Sequence, residues 1–202
     1  GSELCRQILE YEPSSMVMLD IGENYLYELK LFLGISVSKC EMHFVFGSVT
    51  NEAKMKALFE KCRPQLVFHA AAHKHVPIME DNIDAAIVNN VLGTKITADL
   101  SAKFDTENFI LISTDKVVNP TSIMGRTKNI AEKYIQSLSK EIKTKFITVR
   151  FGNVLGSNGS VVPLFQKQIQ RGGPVTITHP EMTRFFMLIP EAVQLVMQAA
   201  SL

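Results

Sequence analysis

The chain is poor in cysteine, and the three it has are scattered. Cys5, Cys40 and Cys62 form no C-x-x-C pair and no metal-ligand spacing. An odd count of this kind fits a reducing compartment rather than a disulfide framework, so a cytoplasmic domain is the expectation. Long apolar runs are missing too: none reaches the ~18 residues a membrane span needs, and no membrane contact is expected from these residues. Nor is there a secretory signal pattern. Neither sign of charge is in excess, with 21 Lys+Arg against 20 Asp+Glu. The balance argues against a nucleic-acid surface. Internal repeats and low-complexity segments are absent. What remains is an ordinary globular composition, 46% hydrophobic over 202 residues, enough for one sizeable core.

Short apolar runs alternate with helical stretches. Candidate strands are Met16–Asp20, His43–Phe46, Leu66–Ala70, Phe109–Ser113 and Phe146–Arg150. Their near-continuous apolarity suits strands buried on both faces of a parallel sheet. Candidate helices are Glu3–Tyr11, Asn24–Leu33, Glu52–Cys62, Asp84–Lys103 and Ile123–Glu141. In the fourth, Ile87, Val91, Thr94 and Ala98 are predicted to share one face. This alternation predicts an α/β fold, a doubly wound parallel sheet of Rossmann type. Glycine and proline become frequent after Arg150, so residues 1–150 read as the nucleotide-binding domain. Residues 151–202 read as loops and short elements over the ligand face.

Such folds begin with a strand and a glycine-rich turn that offers backbone amides to a pyrophosphate. Here a helix comes first, and the expectation is that the first strand and most of the glycine loop are missing. Asp20 ends the next strand 19 residues after Gly1, close to the spacing of a ribose-binding acid. Gly1 therefore reads as the last glycine of that motif or, with Ser2, as a cloning remnant. Asp20 has no immediate arginine neighbour to welcome a 2′-phosphate, which favours NAD over NADP. The turn Gly47-Ser48-Val49 is expected beside the adenine.

The stretch VFHAAAHKHVPIME ends a strand in Ala70, Ala71 and Ala72, small residues that leave room for a flat cofactor at the switch point. His73 and His75 flank Lys74. Two histidines at i, i+2 with no cysteine or carboxylate cluster make a poor metal set, so no metal is expected. Lys74 and His75 read as lining a nucleotide or sugar pocket.

Five motifs in order carry a resemblance: HAAAHKHVPIMEDN, NNVLGT, ISTDKVVNPTSIMGRTK, VRFGNVLGSNGSVVPLF and GGPVTITHPEMTRFFM. Together they resemble the polysaccharide-biosynthesis branch of the extended short-chain dehydrogenase/reductase superfamily. Within it they are most similar to the UDP-N-acetylglucosamine 4,6-dehydratases of the capsule and flagellin-glycosylation type. The resemblance spans essentially the whole chain. It implies a lyase that recycles NAD: C4 of a UDP-sugar is oxidised, a base removes the C5 proton, water leaves from C6, and the hydride returns to C6. It implies Lys116 as the C5 base and Asp115 as the C6 acid.

One position departs from the short forms of that family. Many nicotinamide enzymes of this layout use a Tyr-x-x-x-Lys pair, and here Met124 precedes Lys128 at the tyrosine position. The sequence looks like the Met-containing longer forms. Lys128 is then left to bond the nicotinamide ribose, and the 4-hydroxyl proton is routed to Asp115, through Thr114 or a water. Met124 also reads as a packing residue over the nicotinamide, and the two readings are compatible.

Ser113 and Thr114 are candidates for cofactor or substrate contact, with strand-end capping as the alternative. Asn90 reads as structural support. The resemblance implies that Asn153, Ser157 and Ser160 approach the nucleotide-sugar. Arg184 is a candidate for the diphosphate, since a guanidinium grips phosphate through paired bonds; the alternative is a surface ion pair. The resemblance also implies a homo-oligomer through the two long helices, and a parent chain with amino-terminal membrane helices at the inner face of a bacterial envelope. Family members that invert C5 or epimerise, and a non-catalytic NAD or nucleotide-sugar sensor, are the competing readings.

Overall fold

The structure is a computed structural model, and it describes residues 1–34, 39–138, 142–157, 159–177 and 179–201. In chain order the elements are α1 (Ser2–Leu9), β1 (Ser15–Asp20), α2 (Glu23–Leu33), β2 (Glu41–Phe46), α3 (Glu52–Cys62), β3 (Leu66–His69), α4 (Val76–Glu80) and α5 (Ile83–Ala86). A π-helical turn (Ile87–Leu92) leads into α6 (Gly93–Lys103). Then come β4 (Asn108–Thr114), a 3₁₀ turn (Asp115–Val117), α7 (Ile123–Leu138), β5 (Lys145–Phe151), β6 (Asn153–Val154), α8 (Val161–Gln170), β7 (Phe186–Met187) and α9 (Ile189–Ala200).

All described strand pairs are parallel, as the apolar runs predict. β1 pairs with β2, and β4 lies between β3 and β5. Among the described residues no ladder joins β1 to β3, although the doubly wound order puts a strand between them. Helices span the break. On one side Leu9 of α1 packs with Met16, Met18 and Leu33, while Leu4 packs with Ile110 of β4 and Val196 of α9. On the other, Met55 and Phe59 of α3 meet Ile96 and Leu100 of α6, with Leu19 of β1 and Val67 of β3 against them.

Local chemistry sets the helix starts. Asn51 caps α3 by accepting from Lys54 N at 3.0 Å. Ser122 Oγ accepts from Gly125 N at 3.1 Å, and Glu80 reaches across from α4 to accept from Ile123 N at 2.9 Å. Side-chain oxygens thus satisfy amide donors that the first turn leaves free.

Three expectations change. The single helix over Asp84–Lys103 is two α-segments around the π-turn. The extra residue in that turn carries Ile87 out to solvent while Thr94 and Ala98 stay buried. The region after Arg150 is not only loops, since it holds α8 and α9, and α9 covers β4 and β5. The proposed strand Leu66–Ala70 stops at His69. The last residues proposed for Ile123–Glu141 (139–141) lie outside the described residues.

Candidate functional site

β4 delivers the central group. Its last residue, Thr114, donates from Oγ1 to Asp115 Oδ1 at 2.9 Å and accepts from Lys116 N at 3.3 Å. The adjoining 3₁₀ turn folds Lys116 back, so that its Nζ donates to Asp115 Oδ1 at 3.0 Å and to Asn153 Oδ1 at 3.3 Å. Partial burial pushes the Asp115 carboxyl up, but hydrogen bonds from Lys116 and Thr114 more than offset it and hold it below its ordinary range. Asp115 is therefore an ionised, partly solvated carboxylate at neutral pH. Gly152 brings a third segment in: a Cβ there would lie 3.7 Å from Asp115 Oδ2 and 3.3 Å from the Phe185 carbonyl oxygen.

Lys128 lies on α7, and its Nζ donates to the Ile112 carbonyl at 2.9 Å. Burial pushes its ammonium down to about 8, against the pull of Glu132. A small cavity of about 10 Å³ lies beside it, lined by Lys128, Ser113, His69, Thr94, Ala71 and Ala72 among others. Ser113 Oγ is buried there without a hydrogen-bond partner among the described residues. Met124, one turn before Lys128, is buried with Met79 and Ala86. A thioether in that cluster can pack but cannot carry a proton.

His69 forms the floor of this region. Thr94 spends its one hydroxyl hydrogen on the Asn90 carbonyl at 2.7 Å, so the ring donates to Thr94 from Nε2 at 3.0 Å. Burial, reinforced by Lys128, pushes the imidazole down to about 3. An unfolded chain takes up this proton below the ordinary 6.5, and the folded one does not. The stability contribution is present above pH 6.5 and lost as the pH falls toward 3. Urea unfolding is expected to show about 2 kcal/mol less stability from this residue at pH 5 than at pH 7. His69→Asn should flatten that slope, and an unchanged slope would show that His69 titrates normally.

Asp20 Oδ1 accepts from Gly22 N at 2.7 Å, and its carbonyl accepts from Gly47 N at 2.9 Å. The proposed ribose acid and adenine turn therefore meet. Ser48 Oγ is engaged with Thr50, and Val49 is buried against α3 and α6, so this turn offers backbone rather than those two side chains. Ala70 is exposed beyond β3. Lys74 and His75 are exposed, and His75 lies so close to Gly159 that a Cβ there would approach its Cε1 to 2.6 Å. That contact joins the histidine loop to the loop carrying Ser157 and Ser160. Ser160 precedes α8 with its Oγ buried and without a hydrogen-bond partner among the described residues. Arg184 is exposed, bonds only the Thr183 carbonyl (2.7 Å), and forms no ion pair among the described residues. Gly1 precedes α1, its carbonyl accepting from Cys5 N at 3.0 Å, and joins none of the other candidates. Among the described residues no three His, Cys, Asp or Glu side chains are grouped to hold a metal.

Asn90 carries more than the sequence reading assigned to it. Its Oδ1 accepts from His73 N at 2.8 Å, and its Nδ2 donates to the His73 carbonyl and to Thr127 Oγ1, each at 3.1 Å. It ties the histidine loop to α7, and the π-turn is the backbone that aims it. The doubled asparagine in NNVLGT was the available signal. Glu132 was missed altogether.

Fold and cluster define a Rossmann-type α/β domain with a polar site at the carboxyl ends of its strands. The chain belongs to the polysaccharide biosynthesis protein family, whose family model matches residues 1–202. It is 51% identical over 206 residues to the probable polysaccharide biosynthesis protein EpsC of Bacillus subtilis, covering 100% of this chain and 34% of that protein. It is 32% identical to the UDP-N-acetylglucosamine 4,6-dehydratase (inverting) of Campylobacter jejuni, over 98% of this chain and 59% of that one. It is 37% identical to the UDP-glucose 4-epimerase of Rickettsia canadensis, over 82% and 49%. Among solved structures, Pen from Bacillus thuringiensis superposes with a TM-score of 0.92 at 29% identity, covering 100% of this chain and 64% of that one. DesIV, a dTDP-glucose 4,6-dehydratase from Streptomyces venezuelae with NAD and TYD bound, gives 0.85 at 16%, over 99% and 68%. The chain thus spans about a third of the EpsC relative's length.

Proposed function

We propose that this chain is the NAD-binding and catalytic part of a nucleotide-sugar 4,6-dehydratase that acts on UDP-N-acetylglucosamine in surface-polysaccharide synthesis. The observation that carries the reading is the Thr114–Asp115–Lys116 relay, with Lys116 bridging to Asn153. An epimerase needs one proton acceptor at the 4-hydroxyl. Elimination also needs a base at C5 and an acid at C6, and here a carboxylate and an amine share one turn.

The residues present fit NAD. Ala71 and Ala72 keep the end of β3 flat, Ser113 Oγ is an unused polar atom, and Lys128 keeps ammonium hydrogens beyond the one given to Ile112. Asp20 and Lys128 would hold the two riboses. When bound, NAD supplies the acceptor for hydrogen from C4 and the donor to C6.

The protons pass through side chains of the protein. Asp115, ionised at rest, accepts the 4-hydroxyl proton directly or through Thr114. Once neutral, it no longer holds Lys116 as an ammonium; Lys116 releases a proton to solvent, and the free amine takes the C5 proton. The protonated Asp115 then gives its proton to the departing C6 hydroxyl, and Lys116 returns one to C5 and recovers its own from solvent. The 4-hydroxyl proton leaves in the water, so Asp115 ends as it began. Met124 takes no part in this circuit. In this reading Arg184, without an ion-pair partner among the described residues, takes the diphosphate, and Lys74, His75, Ser157 and Ser160 take the sugar-nucleotide side. Anchoring of the parent chain at a membrane belongs to the same reading. No helix among the described residues is long and apolar enough to cross one.

The full-length protein, given NAD and UDP-N-acetylglucosamine in heavy water, is expected to yield a 4-keto-6-deoxy sugar with deuterium at C5, followed by NMR. A 4-epimer without C5 deuterium would replace the reading with epimerisation. An unchanged sugar on NAD-loaded protein would favour the sensor.

A further inference from the structure

Glu132 is the one fully buried carboxylate among the described residues, at 1% exposure. Arg150 grips it with a fork: Nε donates to both carboxylate oxygens at 3.0 Å, and Nη2 donates to Oε2. Arg150 stands on β5 opposite Ser113 of β4. One helical turn earlier on α7, Lys128 donates to the carbonyl of Ile112, the residue before Ser113. Two consecutive turns of α7 are thus fastened to adjacent strands at adjacent rows, directly beneath the Thr114–Asp115–Lys116 turn.

Stability alone does not explain this pair. Taking the Glu132 carboxylate out of water costs several kcal/mol, while the Arg150 side chain stays 44% exposed and keeps much of its hydration, and a well-packed apolar residue in place of the buried carboxylate commonly holds a helix as well or better. The pair also leaves a net effect on its neighbour, because Glu132 is the anion that opposes the loss of charge at Lys128. The other charged groups on the described elements packed against α7 are Glu80, Asp84, Lys95, Asp99, Lys103, Asp115, Lys116 and Lys145, besides Arg150. Asp115 pairs with Lys116, Asp99 with Lys95, and Glu80 accepts from Ile123 N. His69, from β3, is neutral.

We propose that Glu132 is a positioning residue for Lys128. Its carboxylate, clamped by Arg150, sets α7 in register on the sheet and supplies the counter-charge that keeps the Lys128 ammonium at the Ile112 carbonyl. The role of Lys128 at the ribose comes from the dehydratase reading, and the proposal rests on it. The charge state of Lys128 does not depend on that reading and can be measured apart from it.

The test is a pH titration of the Lys128 side-chain nitrogen by NMR in the full-length protein with ¹⁵N-labelled lysine, the signal assigned by its loss in Lys128→Met. Glu132→Gln keeps the shape and removes the charge. Its Lys128 midpoint is expected to fall by about one pH unit, a tenfold weaker hold on the proton, and the alkaline limb of turnover should move with it. Glu132→Asp, which keeps the charge but shortens the reach to Arg150, is expected to fall by less. A folded Glu132→Gln protein whose Lys128 midpoint is unmoved overturns the proposal. If Glu132→Gln does not fold, the double variant Glu132→Gln/Arg150→Gln, which buries no unpaired charge, decides by the same criterion. A shifted midpoint in a protein that performs no dehydration would instead sink the reaction assignment and leave the coupling standing.

Discussion

Replacing Lys116 by methionine is expected to abolish exchange of the sugar C5 hydrogen with solvent and to cut product formation by about 10³–10⁴-fold, the upper part of the range for a general base. Methionine keeps most of the length of the lysine stem and removes only the amine. The loss should be chemical rather than structural, because Lys116 is partly exposed and its bonds run to Asp115 and Asn153, both at the surface of the site. A second consequence checks the assignment. Without the ammonium, Asp115 loses the foremost of the bonds that lower its carboxyl, so the acid limb of any remaining activity should move to higher pH. Asp115→Asn separates the roles: it should block the first oxidation in a single turnover, which Lys116→Met should leave running. C5 exchange at the wild-type rate in Lys116→Met would remove Lys116 as the base.

Gly125→Ala is expected to destabilise the protein by about 1–3 kcal/mol, the usual range for overpacking, against the direction that helix propensity dictates. In an exposed helix the same change would stabilise by about 1 kcal/mol. Here the new Cβ would stand 2.6 Å from the Lys116 carbonyl oxygen and 3.2 Å from both Pro120 Cβ and Ser122 Oγ. The nearest obstacle is backbone, so relief comes only by moving the 3₁₀ turn away from α7. That displacement carries Lys116 and Asp115 with it. Turnover should therefore fall even at temperatures where the variant is fully folded. Urea midpoint and kcat measured together decide this: a stabilised Gly125→Ala protein would mean the two segments are not in contact.

The strands were readable because burial on both faces leaves an apolar run that no surface element shares, as in Phe109, Ile110 and Leu111 of β4, all buried. The order of helices and strands followed from the same alternation. The π-turn was not readable, because its cause is distant in sequence: Asn90 is drawn to the backbone of His73 and the hydroxyl of Thr127, and local propensity does not register such a pull. Helices α8 and α9 were obscured by the glycines and prolines around them, although Pro190 marks a helix start as readily as a loop. Within the site, Asp115, Lys116 and Lys128 were legible through resemblance, and the structure brings the first two together with Asn153. Glu132 was invisible for an ordinary reason. In RTKNIAEKYIQ it looks like one more charge on a solvated face, and only β5 reveals that Arg150 waits for it.

A π-turn is the footprint of a single-residue insertion in an α-helix. Excising one residue from the stretch 87–92 would let the segment from Ile83 to Lys103 wind as one regular helix, while turning everything before the cut by about 100° relative to α6. Asn90 could not then face both His73 and Thr127. Selection on helix regularity and selection on the site therefore pull in opposite directions at this point. Among descendants of this sequence, length should be preserved here more strictly than residue identity: side chains on the outer face of the turn are free to drift, but a gap of one is not.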